Sequence, residues 1–167
     1  VTGRARHLAT AVTGLVLGIV VVGPGLAPGF VLSYDMVFVP DPAFTSMTFG
    51  LTGTVPRHVP SDAFAAALAT VLPGGVAQKL ILLAIFVTAC TSAASLVPSK
   101  RLVPRLAAGV VYAWNPFVAE RLLLGQWALL LGYAALRGRW RRRPGRGSAA
   151  AGRRAGAGAA PGGGRRV

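Results

Sequence analysis

The chain has 167 residues, 53% of them hydrophobic and only 13% charged, with a mean hydropathy of +0.58 and a net charge of +14. This composition excludes an ordinary soluble domain, because the apolar residues gather into long uncharged runs that place the chain in the membrane class. The single cysteine, Cys90, excludes an intrachain disulfide framework and a cysteine-built metal site. Its place inside an apolar run makes it a small packing residue. Charge is spread unevenly. Residues 1–136 hold eight Lys and Arg against Asp35, Asp41, Asp62 and Glu120, a net +4, whereas 137–167 holds ten Arg and no acid.

Arg4, Arg6 and His7 precede an uncharged stretch from Leu8 to Tyr34, long enough to cross a bilayer. Basic residues before the first span put the N-terminus in the cytoplasm. Pro24, Pro28 and the glycines around them end the regular helix, which is expected near 8–26. A cleaved signal peptide also fits a basic start and apolar core, but no clear A-x-A site follows and further apolar spans come later.

Residues 33–60, rich in Pro, Gly and Thr, read as an extracytoplasmic loop. Ser61 is the expected N-cap of a short interfacial helix, with Asp62 on its dipole, that stops at Pro73-Gly74-Gly75. Leu80–Val97, 18 uncharged residues, is the second span, with Lys79 snorkelling at its outer end and Lys100, Arg101 and Arg105 on the cytoplasmic side.

Two shorter uncharged runs follow, Leu106–Ala119 and Leu122–Leu136, of 14 and 15 residues. At about 21–23 Å they fall short of the roughly 30 Å hydrocarbon core. They flank Glu120 and Arg121, and as two helices meeting near the outer face they place Asn115, Glu120, Arg121 and Gln126 where the chain turns back. Ionisable groups at that depth are costly, which makes the turn a candidate site; a polar loop outside the bilayer fits the same residues. The expected fold is all-α: about four transmembrane helices near 8–30, 77–97, 106–119 and 122–136, an outer loop over 33–76 and a disordered basic tail over 137–167.

That tail, almost wholly Arg, Gly, Ala and Pro, cannot bury a core. It reads either as a segment held to anionic lipid head groups, with nucleic acid the less favoured partner, or as GC-rich DNA translated out of frame after Leu136. A GTG start at Val1 fits the second reading, in which 1–136 begins a longer polytopic protein.

Asp35 follows the first span directly in LSYDMVFVPD, where a carboxylate can take a proton from an incoming hydroxyl, although on spacing alone a lone Asp reads more readily as a solvated loop carboxylate or a turn cap. Asp41, before Pro42, reads as a turn former. Arg57, His58 and Arg121 can hold an anionic phosphate, Arg through a bidentate fork, although surface charge accounts for Arg57 and a solvated ring for His58. Glu120 and Arg121, adjacent on a helix, diverge by about 100° and are expected to seek separate partners. Trp114, Trp127 and Tyr133 read as interface anchors or packing. No H-E-x-x-H, P-loop, G-x-S-x-G or dinucleotide fingerprint is present.

Together, LSYDMVFVPD after the first span and YAWNPFVAERLLLGQWALLLGYA later resemble the start of multi-span GT-C glycosyltransferases, including arabinofuranosyltransferase-like membrane proteins. The resemblance covers about residues 8–136. It implies sugar transfer from a polyprenyl-phosphate donor, with Asp35 as the base for the acceptor hydroxyl and Arg121 near the donor phosphate. It also implies many more spans than this chain has, so the polypeptide alone is expected to be inactive. The alternative is a small non-enzymatic multi-span membrane protein whose basic tail binds lipid or a partner subunit. A transporter fragment fits the broken helices but lacks an internal repeat.

Overall fold

The computed structural model describes residues 3–36, 46, 49, 51 and 59–140, except the side chains of 59, 60, 62 and 136–140. Arg57, His58, Asp41 and residues 141–167 lie outside the described residues, and with them the expectations for the loop cations and most of the tail. Among the described residues the chain is all-helical, with one isolated bridge between Ser33 and Met36. The helices are α1 (Gly3–Val22), α2 (Val59–Ala69), α3 (Gly74–Leu96), α4 (Leu102–Ala113), α5 (Pro116–Leu123) and α6 (Trp127–Trp140).

Two helices are long and apolar enough to cross a membrane, α1 continued to Leu26 and α3. At the helical rise α1 alone reaches about 30 Å and α3 about 35 Å. α1 starts earlier than expected, taking in Arg4, Arg6 and His7, and tightens into a 3-10 turn over Gly23–Leu26. Pro24 has no N–H for the helical ladder, so the α pattern stops before it.

α3 is the element on which the others pack. Its buried residues recur in pairs four apart, Ala77 and Gln78, Ile81 and Leu82, Ile85 and Phe86, Ala89 and Cys90, Ala93 and Ala94, so two neighbouring rows of the helix are covered. α1 lies against them through Thr10, Gly14 and Gly18. A Cβ at Gly14 would sit 2.8 Å from the Val87 Cα and 2.9 Å from the Phe86 carbonyl oxygen, so the two backbones meet here without side chains between them. α4 and α6 cover further parts of α3, with Leu130 and Ala134 of α6 fully buried.

The two chain ends of α1 and α3 are pinned. At one, the buried Gln78 amide pairs with a single residue as a strand would: its Oε1 accepts from the Val31 N–H at 2.8 Å and its Nε2 donates to the Val31 carbonyl at 2.7 Å. The Lys79 ammonium donates to the Ala27 carbonyl at the same end, the end at which it was expected to snorkel. At the other, Arg6 donates to the Lys100 carbonyl. α1 and α3 are therefore antiparallel.

Three expectations need correction. Ser61 is not an N-cap: α2 begins at Val59, because Pro60 fits a first turn that needs no ladder N–H. α2 does end ahead of Pro73, at Ala69, but Gly74 and Gly75 do not belong to the outer loop expected over 33–76: they open α3, whose Val76 and Ala77 N–H groups donate to the Pro73 carbonyl. The runs 106–119 and 122–136 are not single helices. Asn115 is extended, its side chain caps α5, and Pro116 forbids a helical residue before it, while Gly125 at φ +75° separates α5 from α6. α4 and α6 reach only about 18 and 21 Å.

Candidate functional site

The site grows from a four-residue turn after α1. Ser33 and Met36 are bridged by a hydrogen bond from the Met36 N–H to the Ser33 carbonyl at 2.6 Å, and Tyr34 takes a positive φ of 32°. Met36 is buried in the core, which fixes the turn, while Tyr34 and Asp35 stay exposed.

This turn docks on the joint between α5 and α6. The Asp35 N–H donates to the Leu124 carbonyl at 3.1 Å, and the Ser33 hydroxyl donates to the Leu123 carbonyl. Gly125 is required twice, by its positive φ and by the space it leaves. A Cβ there would lie 2.2 Å from the Ser33 oxygen and 2.5 Å from the Met36 nitrogen.

Beside the joint is a cleft of about 420 Å³, lined by Asp35, Ser61, Gln126, Trp127 and Leu129 among others. Its size falls within the roughly 300–1,000 Å³ usual for ligand sites. Gln126 links it to the candidate cation: Arg121 Nη1 donates to the Gln126 Oε1 at 2.9 Å. The guanidinium also stands 5.5 Å from the centre of the Phe117 ring, within cation–π range.

Glu120 and Arg121 do meet, contrary to the expected divergence. Their closest atoms are 3.9 Å apart because both side chains are long enough to bend across the 100° between them. The contact is weak. Glu120 is 62% exposed, and pairs of this kind contribute about 0–1 kcal/mol. The Arg121 Nε is buried with no hydrogen-bond partner.

Asn115 belongs to the scaffold of this corner. Its Oδ1 accepts from the Val118 N–H, and its Nδ2 donates to the Tyr112 carbonyl and the Tyr133 hydroxyl. Tyr112 and Tyr133 stack at 4.3 Å, and each hydroxyl donates to the other's carbonyl, at 2.9 and 3.1 Å. Tyr133 is therefore packing, as is the buried Trp127, while Trp114 remains exposed. Phe117 leans on Tyr133 and so carries the order of this corner to Arg121.

Sequence reasoning named Asp35, Asn115, Glu120, Arg121 and Gln126, and all five stand at one end of the helices, with Glu120 turned outward. It passed over Ser33, Gly125 and Gln78. A lone amide beside an 18-residue apolar run was the signal for Gln78, since such a group has to find partners inside the protein.

The carboxylate of Asp35 and the amide of Gln126 line the cleft, and Gln126 in turn holds the Arg121 guanidinium, a set of groups able to accept a proton and to hold an anion. Among the described residues no three His, Cys, Asp or Glu gather to hold a metal. Comparisons with protein-family models, curated proteins and solved structures find no match.

Proposed function

We propose that the chain is the membrane-embedded N-terminal part of a GT-C-like glycosyltransferase of the cytoplasmic membrane, with its N-terminus inside and polyprenyl phosphate carrying the sugar. One juxtaposition supports this reading above the others: the Asp35 turn is hydrogen-bonded to the joint that carries Gln126, and Gln126 holds Arg121. Orientation follows from charge, since Arg4, Arg6, Lys100, Arg101 and Arg105 lie at the end away from Asp35. On this reading α4 to α6 complete a four-span unit by packing in pairs and thinning the bilayer around their short helices.

The chemistry then divides between the two charged groups. Asp35 takes the proton of the acceptor hydroxyl as its oxygen bonds to the anomeric carbon. The bond from that carbon to the phosphate oxygen breaks, leaving its electron pair on the phosphate. Arg121, held by Gln126 and Phe117, offsets the charge that develops there.

Transfer from a short-chain polyprenyl-phosphate arabinose, measured with the downstream reading frame restored, tests the assignment. Asp35→Asn is expected to lower transfer by about 100-fold or more while polyprenyl-phosphate binding persists. Arg121→Gln is expected to weaken that binding by about tenfold. Unchanged transfer in Asp35→Asn removes the base from the mechanism. Failure of the protein with the downstream frame restored to bind polyprenyl phosphate favours the non-enzymatic alternative.

A further inference from the structure

The cleft beside the joint of α5 and α6 is lined by two polar side chains whose hydrogen-bonding capacity is unspent, those of Asp35 and Gln126. The Asp35 carboxylate is exposed and has no partner among the described residues. The bond from the Asp35 N–H to the Leu124 carbonyl sets this residue against the backbone that leads through Gly125 into Gln126.

Arg121 decides what Gln126 offers. An arginine side chain only donates, so the atom that faces its Nη1 at 2.9 Å has to be the amide oxygen. Arg121 does not line the cleft, and the oxygen is therefore turned toward a group outside it. The amide nitrogen leaves the same carbon in another direction. It has no partner among the described residues and is not closed off from solvent. Turning the amide over would set its N–H groups against the guanidinium, donor against donor, and lose the bond to Arg121. Gln126 thus presents donors alone to the cleft.

The rest of the wall narrows the ligand further. Asp35 is the one charged residue lining the cleft among the described residues, so a phosphate or carboxylate seated there meets repulsion. Trp127 and Leu129 add apolar surface, and Leu129 is 46% exposed. A neutral ligand that donates a hydrogen bond to Asp35, accepts one from Gln126 and lays C–H groups on Leu129 uses all of these. Two oxygens on adjacent carbons, one of them a hydroxyl, form the smallest group of that kind.

We infer that Gln126 sets specificity in this cleft: held by Arg121 as a donor, it selects a neutral ligand that carries an acceptor oxygen beside the hydroxyl received by Asp35. On the reading of Asp35 as the base, on which this rests, that hydroxyl is the one that attacks the sugar. Arg121 acts here through Gln126, as a positioning residue.

Ligand-observed NMR of the full chain in detergent, titrated with a methyl pentofuranoside, tests this. Analogues in which each hydroxyl in turn is removed or O-methylated isolate the second oxygen. At one position, removal is expected to weaken binding by about tenfold and O-methylation by less than about threefold, because the methyl ether keeps the acceptor. Gln126→Glu leaves an oxygen for Arg121 to hold and takes away the N–H donors. It is expected to weaken the parent glycoside by about tenfold and to bind it no better than the analogue lacking that hydroxyl. A residue that merely braced Arg121 would leave the order of the analogues unchanged. Should Gln126→Glu fail to fold, the analogue series on the unmodified protein decides alone. Equal binding of all the deoxy analogues, undiminished parent binding in Gln126→Glu, or no binding of any glycoside would overturn the assignment. Unchanged transfer in Asp35→Asn together with the expected analogue order removes the base and keeps the selection by Gln126, whereas lost transfer with equal analogue binding keeps the base and removes Gln126.

Discussion

Gly125 is where single-residue geometry bears most directly on the candidate site. Its φ of +75° disfavours any L side chain, and the space a Cβ needs is filled by the backbone of Ser33 and Met36. The first effect costs about 1–2 kcal/mol, and the second requires the two segments to part. Gly125→Ala is therefore expected to lower the apparent unfolding temperature in detergent and to make the Ser33–Met36 turn newly sensitive to protease. Gly132→Ala, where nothing lies within 4 Å of the added methyl, provides the control and is expected to do neither. Gln126 was legible as part of a polar turn, but Gly125 was read as lying within the run 122–136. The contact of this joint with residues some 90 positions earlier was not legible either, because nothing local records which distant backbone fills the space above a glycine.

At the scale of helices, the contact of α1 with α3 depends on close backbone approach. A side chain at Gly14 would meet the Val87 Cα and the Phe86 carbonyl oxygen, atoms that cannot turn aside as a side-chain tip can. Gly14→Val is expected to destabilise this pair by about 1–3 kcal/mol, read as a lower unfolding temperature, whereas Gly3→Ala, in open space, leaves it unchanged. The spacing of Thr10, Gly14 and Gly18 is present in the sequence as small residues four apart, and hydropathy alone passes over it. The same blindness explains the misplaced third and fourth helices. Uncharged runs across Asn115-Pro116 and Gly125 look continuous to a scale that counts only polarity, yet a cap, a proline and a left-handed glycine divide them. The polar corner between the two runs was legible for the converse reason: Glu120, Arg121 and Gln126 are conspicuous in apolar surroundings.

For the whole molecule, α3 is the centre and charge is distributed along its axis. The described acids Asp35 and Glu120 share an end with Lys79 and Arg121, while Arg4, Arg6, Lys100, Arg101 and Arg105 occupy the other without a carboxylate among the described residues. Between the two ends, α1 leaves Leu8, Val12, Val16 and Val20 at least half exposed, a stripe costly in water and well matched to acyl chains. On the proposed reading the bilayer is this chain's solvent, with the Asp35 rim outside and the basic end inside. Labelling of single cysteines in intact cells tests that most directly, in a Cys90→Ala background with an impermeant maleimide. Asp35→Cys and Glu120→Cys are predicted to react from outside, and Ser99→Cys only after the membrane is opened. Labelling of Asp35→Cys and Glu120→Cys from opposite faces, or of Ser99→Cys from outside, would contradict the account.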